Sequence, residues 1–210
     1  MQGFWYFDFV SPFAYLQLGK ILALRERLDL APRPIVFGAV LAHHGHLGPA
    51  EIPGKREFTY RTVLWTAERE GTPLRFPPAH PFNSLAALRL CLAAGGGWDA
   101  VQTIYAHLWR DGRPGTTAEE LAGTARALGI ADAVAAIAAP AVKDALRTNT
   151  EEAIATGVFG VPTLRLGSQL FWGNDATPMI LDFLDHPDRF AGEDYRRLAA
   201  LPTGVVRRRD

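Results

Sequence analysis

Ser11 is followed by Pro12 and by Phe13, Leu16, Leu18, Ile21, Leu22 and Leu24, which can line one face of a helix. Serine is a favoured helix cap, and proline fits the first helical position. Ahead of them the aromatic run Phe4–Val10 reads as a buried strand. A hydroxyl therefore stands where a strand turns into a helix, at the positive end of that helix. Such a place favours an anion, and a thiolate is a good candidate. Gly173-Asn174-Asp175 opens the last helix. These residues can cap it, and the same turn can offer N–H groups and a carboxylate to an α-amino-acid group. His43-His44-Gly45-His46 invites a metal reading. Its spacing matches no well-attested zinc pattern and no second ligand cluster accompanies it, so no metal is expected. A glycine-rich ligand loop with polar side chains fits better. Ser11 is not set in a Gly-x-Ser-x-Gly elbow, which argues against a serine triad.

These residues need a frame. After the first strand and helix, which end near Leu28, Asp29–Pro32 breaks the pattern and Arg33–Val40 reads as a second strand. Strand, helix, strand with so long a connection suggests a parallel unit. The span from about Lys55 to Pro140 shows only helical patterns. They cover roughly Lys55–Glu70, Phe82–Ala94, Trp98–Arg110, a segment opened by a Thr117/Glu120 capping box and closed by Gly129, and Ala131–Ala138. A helix from Ala141 to Thr156 follows. Then comes a hairpin whose strands flank the turn Gly167-Ser168, and a helix over Thr177–Leu184. Beyond His186 the chain is polar and reads as a loose tail.

The sum is an α/β protein in the thioredoxin order with an all-helical insertion. Residues 1–54 and 141–186 form the thioredoxin-like part, 55–140 the insertion and 187–210 the tail. In that fold the strand-to-helix turn holds a Cys-x-x-Cys pair; here Ser11 and Ala14 stand in its places. A disulfide exchanger is thereby excluded. In the same fold the loop opposite carries a cis-proline, and Val161-Pro162-Thr163 fits it. Val161 would then leave its N–H and C=O open to a peptide-like ligand. The other reading is a proline starting a strand.

Composition narrows the rest. The 22 basic residues balance the 22 acidic ones, so no net field argues for nucleic acid or an anionic membrane. The basic Arg207–Arg209 run reads as a solvated terminus. No run is long and apolar enough to span a bilayer, and the N-terminal apolar run lacks a basic segment before it and contains Asp8, unlike a signal peptide. The single cysteine, Cys91, excludes an intramolecular disulfide, lies on an apolar helical pattern as a buried structural thiol, and points to a cytoplasmic setting.

Four segments carry a resemblance. They are Phe7–Leu16, Phe76–Asn83, Gly157–Thr163 and Phe171–Asp175. With them the chain resembles the 2-hydroxychromene-2-carboxylate isomerase family, kin of kappa-class glutathione transferases and of the DsbA-type thioredoxin fold. The resemblance implies glutathione as cofactor and a homodimer as assembly. Ser11 would hold the glutathione sulfur as thiolate, Val161 beside Pro162 would pair with the cysteinyl backbone, and Asn174 and Asp175 would hold the γ-glutamyl end. His46 stands where relatives often place an asparagine that contacts glutathione, and with Phe13 it joins the implied cofactor-binding set. The implied reaction is cis–trans isomerisation of a small aromatic substrate, for which Phe13 and Trp172 are pocket candidates. Phe58 and Trp65 are further ones, with ordinary core as their other reading. A glutathione transferase and a non-catalytic glutathione- or peptide-binding module are the alternatives.

Overall fold

A computed structural model describes residues 2–205; the Arg207–Arg209 run lies outside the described residues. Four strands form one sheet in the order β2-β1-β3-β4, with β1 Gln2–Phe7, β2 Asp29–Pro34, β3 Thr163–Leu166 and β4 Gln169–Trp172. β1 runs parallel to β2 and antiparallel to β3, and β3 runs antiparallel to β4. The helix α1 (Pro12–Leu24) makes the crossover between β1 and β2.

The aromatic run at the N-terminus is buried because β1 is central and covered on both faces. Trp5, Phe7 and the following Phe9 point into the larger core, with ring centroids 4.8 Å and 5.2 Å apart in succession. Tyr6 points the other way, into a smaller core with Ile35, Val40, Ala153, Val158 and Val161.

Between β2 and β3 lie the helices α2 (Phe37–His44), α3 (Pro53–Glu70), α4 (Leu85–Ala93), α5 (Trp98–Tyr105), α6 (Ala122–Ala127), α7 (Ala133–Ala138) and α8 (Pro140–Ala155). The last turn of α5 widens to π form over Ala106–Arg110. These helices share the core of the sheet. Leu88, Cys91, Ile104, Tyr105 and Trp109 belong to one buried cluster with Trp5, Phe7 and Leu164. After β4 come α9 (Thr177–Asp185), α10 (Pro187–Phe190) and α11 (Glu193–Ala199).

Three expectations from the sequence are corrected. The second strand is Asp29–Pro34, not Arg33–Val40, and the second half of that run is α2. β2 is an edge strand, so Pro32 and Pro34 cost it no ladder partner. α2 has no capping side chain of its own; its Phe37 N–H is capped by the Asp8 carboxylate at 2.9 Å, from 29 positions earlier. The Thr117/Glu120 box forms, with both reciprocal bonds at 3.3 Å, but closes a turn, and α6 starts only at Ala122. The segment after His186 is not a loose tail throughout. Phe190 packs on Phe183 with ring centroids 5.3 Å apart, and Tyr195 packs on Phe190 at 5.1 Å.

Gln17 ties the frame together. Fully buried on α1, it accepts from Trp5 Nε1 at 2.9 Å and donates to the Gly173 carbonyl at 2.8 Å. Gln17→Leu keeps the volume and orphans both groups. The expected loss is about 2–6 kcal/mol of unfolding free energy in urea titrations, since each of the two orphaned buried groups costs about 1–3 kcal/mol. A loss within error of zero would show that these bonds do not join β1 to the β4 end.

Candidate active site

The backbone from Asp8 to Val10 leaves the sheet while still buried, so its carbonyls need partners that no strand supplies. Asp8 and Phe9 are almost wholly covered. The Asp8 carbonyl accepts from Ser11 N–H at 3.0 Å and from Tyr105 Oη at 3.0 Å. The Phe9 carbonyl accepts from Trp109 Nε1 at 2.8 Å. The Val10 carbonyl faces His80 Nε2 at 2.8 Å, and since a carbonyl only accepts, the imidazole is the donor. The frame that presents Ser11 is thus held by three side chains from the helical segment.

Ser11 caps α1 as the sequence suggests. Its Oγ accepts from Ala14 N–H at 3.2 Å, and its backbone is extended at φ −87°, ψ 112°. Ala14 N–H occupies an acceptor position of the hydroxyl and leaves the O–H free to donate. Pro12 contributes no N–H, so the first turn presents Phe13 N–H and the positive helix end.

The structure brings Val161, Pro162 and Asn174 to the same end of the sheet. Tyr6 pairs with Thr163, so Pro162 and Val161 continue alongside Phe7 and Asp8. The Val161–Pro162 bond is cis. No hydrogen bond involves Val161 N–H or C=O among the described residues, although the residue is only 7% exposed. Gly173 N–H donates to the Pro162 carbonyl at 2.8 Å, and φ of +95° at that glycine turns the chain toward Asn174. Asn174 Oδ1 accepts from Lys20 Nζ at 2.8 Å, which leaves the amide NH2 of Asn174 to a ligand; Lys20 also pairs with Glu70 at 2.6 Å. Asp175 is exposed.

Other predicted residues sit less centrally. His46 is exposed, with its ring 5.9 Å from His44; His44 Nε2 lies 3.4 Å from the Val158 carbonyl, which places this loop beside the one that carries Val161. Among the described residues no group of three His, Cys, Asp or Glu is placed to hold a metal. Phe13 is half-buried against Leu16, Val63 and Ala67. Trp172 is exposed, pairs with Phe159 at 5.3 Å and lies over Gly160, where a Cβ would come within 2.5 Å of its Nε1. Phe58 and Trp65 are exposed on α3 and are not core. No helix among the described residues is long and apolar enough to cross a membrane.

Sequence reasoning missed the supporting residues. Asp8 accepts from Val10 N–H at 3.0 Å and from Phe37 N–H, and Ser84 bonds it as well; burial raises its carboxyl pKa, and these bonds oppose the rise. The signal for Asp8 was an acid inside an aromatic strand. His80 has an imidazole pKa lowered chiefly by burial, with the Val10 carbonyl opposing and the Arg56 charge adding to it. Its signal was a histidine in a proline-rich loop.

Comparison with known proteins places this geometry in a family. A DsbA-like thioredoxin domain model matches residues 5–185. The chain is 32% identical over 188 residues to a 2-hydroxychromene-2-carboxylate isomerase of Sphingobium xenophagum, covering 86% of this chain and 94% of that one. It is 27% identical over 204 residues to glutathione S-transferase kappa 2 of Caenorhabditis elegans, covering 87% and 91%. A solved 2-hydroxychromene-2-carboxylate isomerase superposes with a TM-score of 0.74 at 26% identity, covering 97% of this chain and all of that one.

Two measurements test the site's chemistry. Cys91 is fully buried and burial pushes its thiol up to about 12. A disulfide reagent at mildly alkaline pH should leave it unmodified until the chain is unfolded; fast native modification would overturn that. His80 disfavours its proton in the folded state, so its contribution to stability is full above pH 6.5 and is lost as pH falls through the lowered value. His80→Gln removes that titration, so the gap in melting temperature between wild type and variant should change across this window. A constant gap would show that His80 does not titrate with unfolding. By fold, matched family model and identity, the chain belongs to the DsbA-like thioredoxin family and, within it, to the 2-hydroxychromene-2-carboxylate isomerase family, with a kappa-class glutathione transferase among its relatives.

Proposed function

We propose that the chain is a glutathione-dependent isomerase that converts 2-hydroxychromene-2-carboxylate-type substrates to trans-o-hydroxybenzylidenepyruvate-type products in aromatic catabolism. The observation that carries this reading is the Ser11 hydroxyl: its oxygen is engaged by Ala14 N–H and its proton is left to donate at a helix N-terminus. The open peptide groups of Val161 support it. They suit the backbone of a cysteinyl residue, and the NH2 of Asn174 and the carboxylate of Asp175 suit an α-amino-acid group.

Glutathione, when bound, supplies a thiol nucleophile that can add to a conjugated double bond and leave again after rotation. The chain's own cysteine is buried and cannot do so. Ser11 stabilises a sulfur anion by donating its proton, and the α1 N-terminus adds a fixed positive potential. Phe13, and Trp172 with its ring partner Phe159, are the apolar candidates for contact with a flat ring. His46, on the loop whose His44 meets the Val158 carbonyl, is a candidate glutathione contact. We place the protein in the cytoplasm, as its single cysteine suits a reducing setting, and as a homodimer. Exposed Phe58, Leu64 and Trp65 on α3 supply an apolar surface for the second copy.

A second reading, a kappa-class-like transferase acting on an electrophile, is favoured by the match to the nematode protein, whose alignment extends over 204 residues. Both readings use the same sulfur site. A binding module without turnover is the reading that any measured turnover removes.

The test is titration of the protein with glutathione while thiolate absorbance is followed against pH. Thiolate should appear well below its usual pH. In Ser11→Ala its midpoint should rise by about one pH unit or more, and the lost cap should cost about 1 kcal/mol of stability. An unchanged midpoint would remove Ser11 from the mechanism, and absence of binding would remove glutathione.

A further inference from the structure

His80 belongs to the Phe76–Asn83 segment, which carries part of the family resemblance but to which the sequence assigned no chemistry. It sits among the rings of Tyr60, Phe76, Phe82 and Trp109, with centroids 5.2–6.3 Å away. Both ring nitrogens are engaged. Nε2 donates to the Val10 carbonyl at 2.8 Å, and Nδ1 lies 2.7 Å from Tyr60 Oη. Tyr60 Oη is also 2.6 Å from the His80 carbonyl, which accepts in addition from Arg56 Nη2 at 2.8 Å. In neutral His80 the phenol proton turns to Nδ1; in protonated His80 it turns to the carbonyl. Nε2 donates to Val10 in both forms.

The Val10 carbonyl and the Ser11 N–H belong to one peptide unit, which is rigid and planar. Its N–H is held by the Asp8 carbonyl at 3.0 Å and its C=O by His80. A plane fixed at both ends fixes the direction in which the next residue leaves it. That residue is Ser11, whose side chain caps α1.

We propose that His80 is a positioning residue for the Ser11 site, locking the Val10–Ser11 peptide plane through Nε2 and so aiming the Ser11 hydroxyl. Tyr60 and Arg56 hold the imidazole in the orientation that does this. The consequence for sulfur binding rests on the function proposed above for Ser11; the locking of the plane does not.

The experiment compares wild type, His80→Ala and His80→Gln by amide hydrogen exchange in the free protein, then by thiolate titration with glutathione. Glutamine can keep an N–H donor near the place of Nε2. Exchange at Ser11 should accelerate about tenfold in His80→Ala relative to β3 amides, the scale of one lost hydrogen bond, and return toward wild type in His80→Gln. The thiolate midpoint should rise in His80→Ala and recover in His80→Gln, while affinity for S-methylglutathione, which has no thiol, stays the same. Unchanged relative exchange at Ser11 in a folded His80→Ala would overturn the proposal, as would a folded His80→Gln that exchanges like His80→Ala. Should His80→Ala not fold, Tyr60→Phe carries the test: the Ser11 amide must accelerate relative to β3, and no change overturns the proposal. If wild type does not bind glutathione, the proposed function falls and the exchange data alone decide the role of His80.

Discussion

The peptide groups between Phe7 and Ser11 leave the sheet before they leave the core. Irregular buried backbone is expensive, because each orphaned carbonyl costs about 1–3 kcal/mol. Here a phenol, an indole and an imidazole supply the donors, from Tyr105, Trp109 and His80. The Tyr105 ring also packs beside Phe7 and Phe9, so there packing and hydrogen bonding fix the loop together. Ser11 is held to one geometry because the three residues before it have no other way to be satisfied.

That arrangement gives the helices between β2 and β3 a second purpose. They share the sheet's core and also aim its strand-to-helix turn. Asp8 extends the linkage, for its carboxylate caps α2 while its carbonyl takes the Tyr105 hydroxyl. The α2 end carries His44 to the Val158 carbonyl, beside the loop with Val161 and Pro162. A run of polar contacts, buried at Tyr105 and part-buried at Phe37 and His44, thus lies between the two sides of the site.

The chemistry follows from a substitution in kind. A DsbA-like fold puts a helix N-terminus where a sulfur anion is stabilised. This chain keeps the helix end, the cis-proline loop and the turn at Gly173, and places Ser11 and Ala14 at the turn. Cys91 is buried in the core, so in the proposed function the thiol at this position comes from a ligand. On that reading the free donor of Ser11 acts on sulfur brought from outside.

Local signals sufficed for part of this. Ser11-Pro12 gave the start of α1, the aromatic run gave β1, Gly167-Ser168 gave the hairpin, and the helical periodicities placed α3, α5 and α8, each within a few residues. They sufficed because caps, turns and amphipathic faces are decided within a few positions of the chain. The start of α2 was not legible: its capping carboxylate comes from Asp8, while Val36–Val40 has the composition of a strand. Nor was the frame around Ser11. Tyr105, Trp109 and His80 read as apolar periodicity or a proline-rich loop until folding carried them across 97, 100 and 70 positions to three consecutive carbonyls. Sequence alone determined that a hydroxyl caps a helix where anions are favoured. Tertiary structure decided which way that hydroxyl points, because the buried peptide groups that aim it are satisfied only by distant side chains.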